Sequence, residues 1–125
     1  MGKRILVVED NKANRDLISF VLKPRGYEIV EATDGSEGLR LARETKPGLI
    51  IMDLQMPGLD GLTATRSIRE IPELAGVKII AITAFAMAGD RETALAAGAD
   101  EYLPKPINTR ELPSLVERML GMGEA

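Results

Sequence analysis

Histidine is absent from this 125-residue chain. Any step that needs an imidazole as base, nucleophile or metal ligand must therefore come from a partner or not occur. Cysteine is absent as well, which excludes disulfides and any zinc site of the His/Cys kind. No apolar stretch approaches the roughly 18 residues of a membrane-spanning helix, and nothing reads as a signal peptide; a cytoplasmic, soluble protein is the expectation. Basic clusters are lacking, the formal net charge is −3 and the pI is about 5.1. Nucleic acid and anionic membrane are thus poor direct partners. Neither GxGxxG nor GxxxxGK followed by Ser or Thr occurs, and acids after the first apolar run would repel phosphate, so a nucleotide-binding enzyme or a flavodoxin is disfavoured.

The length suits one domain with a real core, and a single unit over 1–125, with no output domain after GMGEA, is expected. Residues 4 to 9 (RILVVE), 49 to 53 (LIIMD) and 78 to 82 (KIIAI) are almost continuously apolar, as strands covered on both faces are. Between them the period changes. Leu17, Ile18, Val21 and Leu22 make a helical face that Gly26 stops before the strand YEIVEA. A second helix starts after Asp34, with Gly35 and Ser36 as turn or cap residues, and ends before Pro47. A third runs from Gly61 to Ile71, a fourth through RETALAAG to Gly98, and a fifth carries the stripe Leu112, Leu115, Val116, Met119 and Leu120. Pro113 costs little in a first turn, so the regular helix should start near Leu112 with Asn108 to Glu111 as a capped turn or short 3₁₀ lead-in; the alternative is a kink. Five strands alternating with five helices predict a doubly wound, flavodoxin-like α/β fold with a five-stranded parallel sheet. The order 2-1-3-4-5 would bring the ends of strands one and three together at the switch point.

Charged groups sit where these runs end. Glu9 and Asp10 close ILVVED, Asp53 closes LIIMD, and Lys105 lies between two prolines in EYLPKP. Parallel strands share one carboxyl edge, so all four groups could meet in one pocket. Two unit charges about 4 Å apart at an effective dielectric near 20 repel by roughly 4 kcal/mol. A hard cation such as Mg²⁺ relieves that crowding, because it prefers oxygen ligands. Taken singly, each acid could be a helix cap or a solvated loop residue, and Thr83 at the end of KIIAIT a simple cap; it is the set, in order and each at a strand end, that resists coincidence.

VVEDN, DLQMPGLDG, AITA and YLPKP resemble, over essentially the whole chain, the CheY-like receiver domains of two-component response regulators. The resemblance implies Asp53 as phosphoacceptor, with Mg²⁺ held by Glu9, Asp10, the Asp53 side chain and the Gln55 backbone carbonyl. It implies Thr83 and Lys105 as ligands of the aspartyl phosphate, Tyr102 as the aromatic switch, and a cis peptide between Lys105 and Pro106. Glu9 stands where Asp is commoner, a variation the family tolerates. Such a domain is a phosphoacceptor rather than an enzyme. Its phosphoryl group would come from a phosphohistidine on a sensor histidine kinase or a phosphotransfer protein, which suits a chain without histidine. A downstream protein would read the face formed by helix four, strand five and helix five. Gln55 and Phe85, two positions beyond Asp53 and Thr83, occupy sites that tune hydrolysis in relatives; bulky Phe85 implies slow self-dephosphorylation. AFAMAGDRE resembles small stand-alone receivers of the cell-cycle, DivK-like type and receivers of hybrid kinases, so a phosphorelay intermediate or hybrid-kinase module is the alternative. A haloacid dehalogenase phosphatase also forms an aspartyl phosphate, but it needs a second Asp where this chain has Gln55.

Overall fold

The structure, a computed structural model, describes residues 3–56, 58–84 and 89–122. Five strands, β1 (Arg4–Val8), β2 (Glu28–Ala32), β3 (Leu49–Asp53), β4 (Lys78–Thr83) and β5 (Glu101–Pro104), pair in parallel in the order β2-β1-β3-β4-β5. Helices α1 (Lys12–Leu22), α2 (Gly35–Thr45), α3 (Gly61–Arg69), α4 (Asp90–Ala97) and α5 (Glu111–Met122) alternate with them. This is the doubly wound architecture expected from the alternation of periods.

Successive strand residues point to opposite faces, and here both faces are covered. Ile5, Val7, Leu49, Ile51, Ile80 and Ile82 form one core with Ile18 and Leu22 of α1 and Leu112, Leu115, Val116, Met119 and Leu120 of α5. Leu6, Val8, Ile50, Met52, Ile79 and Ala81 form the other, with Ala42 of α2, Ala64 and Ile68 of α3 and Ala94 of α4. That double burial is why the central strands read as unbroken apolar runs. The α5 stripe is buried throughout.

Several boundaries differ from expectation, each for a local reason. β1 ends at Val8, leaving Glu9 just beyond it. The cap of α2 is Asp34, whose carboxylate accepts the Glu37 N–H at 2.8 Å; Gly35 and Ser36 are already helical. α3 stops at Arg69, two residues short of Ile71, which precedes Pro72 and is held extended at φ −91°, ψ 114°. Pro113 does lie in the first turn of α5, and Asn108 Oδ1 accepts the N–H groups of Arg110 and Glu111 at 2.9 and 2.8 Å. Gly26 stops the first helical segment in the left-handed region at φ 92°.

Arg69, at the end of α3, pins three elements together. Its guanidinium donates to the carbonyls of Gly98 and Val77 and to Asp100 Oδ2, each at 2.7 Å, and the same Oδ2 accepts the Ile79 N–H at 2.8 Å. One side chain thereby satisfies carbonyls that no helix or strand uses.

Close approach at the site edge depends on Gly61. A Cβ there would lie 1.9 Å from the Asp53 carbonyl oxygen, a backbone atom with nowhere to go. Gly61→Ala should therefore destabilise the protein by about 3 kcal/mol and lower the thermal midpoint by roughly 10 °C. Gly76→Ala, where a Cβ meets nothing within 4 Å, should change stability by less than about 0.5 kcal/mol. Paired thermal melts check the contrast.

Candidate functional site

The switch point between β1 and β3 gathers the charges predicted from sequence. Asp53 is the last residue of β3 and is 1% exposed; Glu9, just past β1, is fully buried. Asp10 faces solvent. A carboxylate oxygen from each of Glu9, Asp10 and Asp53 lies within 4.8 Å of the others. None of the three caps a helix: Asn11 caps α1 and Asp60 caps α3.

Hydrogen bonds orient the acids. Glu9 Oε2 accepts the Asn11 N–H at 3.1 Å, and Asp53 Oδ1 accepts the Gln55 N–H at 3.1 Å. Arg15 reaches back from α1 to the carbonyls of Glu9 and Asp10, at 2.9 and 3.2 Å, and so fixes the loop that carries both. Lys105 enters from the far side. Its Nζ lies 2.9 Å from Glu9 Oε1 and 3.2 Å from Asp53 Oδ2. Its backbone is anchored by a 2.7 Å bond from its N–H to the Thr83 carbonyl, and the Lys105–Pro106 peptide is cis.

One ammonium cannot neutralise three carboxylates. Burial, together with the hydrogen bond and charge of Glu9, pushes Asp53 up to about 7, against smaller opposing effects of the Gln55 amide and Lys105. Burial also raises Glu9, but hydrogen bonds from Asp53, Lys105 and Asn11 outweigh it and leave Glu9 below its usual range. Burial would lower Lys105, yet the two carboxylates hold it above its ordinary value. Glu9 and Asp53 thus titrate as a coupled pair, sharing a proton that is held at low pH and lost around pH 7. That proton stands in for missing positive charge, and an all-oxygen donor set of this kind fits a hard divalent cation.

Thr83, fully buried at the end of β4, completes the edge. Its hydroxyl donates to the side-chain amide oxygen of Gln55, which also accepts the Ala84 N–H at 3.3 Å. Sequence reasoning assigned Gln55 a main-chain carbonyl for the metal and a position that tunes hydrolysis, but no side-chain bond to Thr83. The signal available was its place: a polar residue in the β3–α3 loop, facing the end of the neighbouring strand. Tyr102 is half-buried on β5 against the core beneath α2, α3 and α4. Its hydroxyl is enclosed without a hydrogen-bond partner, and burial and the charge of Asp90 raise its pKa. Phe85 lies outside the described residues.

Residues 5–117 match the family model described as the response regulator receiver domain. The polar-differentiation response regulator DivK of Brucella anthropi is 39% identical over 97% of this chain and 98% of its own length. The receiver domain of a sensor histidine kinase from Pseudomonas aeruginosa PAO1, solved with a magnesium ion coordinated in its active site cleft, is 41% identical; it superposes with a TM-score of 0.89 over 97% of this chain and 99% of that one. A CheY-like receiver domain protein of Methanospirillum hungatei JF-1 superposes at 0.92 with 31% identity, over 99% and 98% of the two chains.

The shared proton makes stability depend on pH. Asp53 carries a folded pKa of about 7 against 3.8 when exposed, so its stabilising contribution is complete below about 4 and is lost as pH rises through 7. In chelator, the thermal midpoint should fall from pH 5 to pH 8. Asp53→Asn should flatten that slope, and melts of both proteins across the range would check it.

Proposed function

The chain belongs to the response regulator receiver family and so to two-component signalling, and from that premise we propose that Asp53 accepts a phosphoryl group from a partner's phosphohistidine. The observation that carries this is the meeting of buried Asp53 with Glu9, Asp10 and Lys105 at the switch point. An Asp53 carboxylate oxygen attacks the phosphorus in line, and the P–N bond breaks with its electron pair left on the imidazole nitrogen. The product is an aspartyl phosphate, so the role is signalling rather than turnover of a substrate. Such transfer depends on positioning and charge neutralisation.

The chain's own groups supply most of that. Glu9 and Asp10, with Asp53 and the Gln55 carbonyl, would hold Mg²⁺, which when bound neutralises charge on the acids and on the transferred phosphoryl group. Lys105 already contacts Asp53 and is placed to follow a phosphoryl oxygen. Thr83 lies at the end of the strand paired with β3 and offers one hydroxyl hydrogen. Phosphorylation adds roughly −1.5 to −2 charge, which draws Lys105 and Thr83 inward. Movement of Thr83 opens space for Tyr102, whose enclosed hydroxyl forfeits no hydrogen bond on leaving. The face of α4, β5 and α5 then changes shape for a downstream protein. There Glu101 pairs loosely with Arg91 and Arg118, at 3.8 and 3.7 Å; such exposed pairs are weak and rearrange readily. Slow self-dephosphorylation, governed in part by Phe85, and a cytoplasmic location belong to the same reading; among the described residues no helix is long and apolar enough to cross a membrane. The 41% identity to a sensor kinase's receiver domain favours, as a second reading, a phosphorelay or hybrid-kinase module.

Incubation with a phosphorylated histidine donor and Mg²⁺ should phosphorylate wild type and leave Asp53→Asn unmodified, as read by phosphate-affinity gel. Labelling of the Asn variant would overturn the assignment. Asp10→Ala should raise the metal-free midpoint by relieving repulsion while removing most of the stabilisation by millimolar Mg²⁺. Melts with chelator and with Mg²⁺ separate the two effects.

A further inference from the structure

The amide oxygen of Gln55 receives two donors at once, the Thr83 hydroxyl and the Ala84 N–H. Both point at one position beside the carboxyl edge, Thr83 from the last residue of β4 and Ala84 from the residue that follows it. Only an acceptor can sit between two donors, so the oxygen of the Gln55 amide faces them. A hydroxyl has a single hydrogen. While Thr83 spends it on Gln55, that hydrogen is not available to a phosphoryl oxygen.

We propose that the Gln55 side chain is a gate on the phosphoryl pocket, its amide oxygen occupying the acceptor position that a phosphoryl oxygen on Asp53 must take to capture Thr83 and Ala84. The proposal rests on the receiver reading and adds a residue that opposes the active state. The backbone N–H of Gln55 bonds Asp53 Oδ1, so the side chain that competes with the phosphoryl group grows from the residue whose main chain orients the acceptor. Charged phosphoryl oxygens make stronger hydrogen bonds than a neutral amide, and phosphorylation therefore wins the exchange. Before it, the amide holds Thr83 in the inactive arrangement. The position has room for this motion, because Gln55 is exposed and no core contact must break for its side chain to swing out. Binding of a phosphoryl mimic and release of Gln55 are then two sides of one equilibrium, and removing the amide shifts it toward the mimic.

Beryllofluoride titration in the presence of saturating Mg²⁺, followed by NMR, tests the gate. Gln55→Met keeps the length and loses the acceptor; it should bind beryllofluoride about fivefold more tightly than wild type. Gln55→Glu keeps the acceptor, adds a charge beside the mimic, and should bind it more weakly. In a Thr83→Ala background the gain from Gln55→Met should shrink, because one of the two guarded donors is gone. Unchanged or weaker binding by Gln55→Met, or an undiminished gain in the Thr83→Ala background, would overturn the gate while leaving the receiver reading intact. Failure of wild type and Gln55→Met alike to bind beryllofluoride would overturn both.

Discussion

The crowding of three carboxylates about one ammonium is the constraint around which this structure is organised. Repulsion of roughly 4 kcal/mol between charges 4 Å apart is offset by groups that direct the two buried acids, Glu9 and Asp53. The Asn11 and Gln55 amides, the Arg15 clamp on two carbonyls and the Lys105 bridge all act on the same small volume. The sheet places these groups, since β1 and β3 are neighbours whose following loops diverge to opposite faces. A different strand order would scatter the acids, and the pocket would not exist.

Much of the fold was legible because burial on both faces leaves a strong mark. RILVV and LIIMD have no polar alternation, and each of their apolar residues enters one of two cores. The helical stripes of α1 and α5 were equally readable. Boundaries were not, for they depend on which side chain wins a local competition. Asp34 outcompeted Gly35 and Ser36 as the cap of α2 because its carboxylate meets the Glu37 N–H. Ile71 was released from α3 by Pro72, a restriction that acts one residue upstream of the proline.

At the site, residue types and their order revealed which groups meet, and Glu9, Asp10, Asp53 and Lys105 do converge. Their protonation was not readable, because the shared proton of Glu9 and Asp53 follows from a burial that only packing determines. Nor was the bond between Gln55 and Thr83. It joins the β3–α3 loop to the end of β4, 28 residues apart, through a flexible side chain, and neither position carries a periodicity that would announce the contact.

Arg69 has a consequence for how movement spreads. Because its guanidinium grips the Gly98 carbonyl and Asp100, the far end of α4 is moored to α3 and the start of β5. On the proposed switch, a displacement that begins behind Thr83 would swing α4 like an oar in its lock: the blade, at Asp90 and Arg91, would travel, while the loom at Ala97 stayed still. On that reading a partner gripping the first turn of α4 would receive a large signal, and one gripping its last turn almost none.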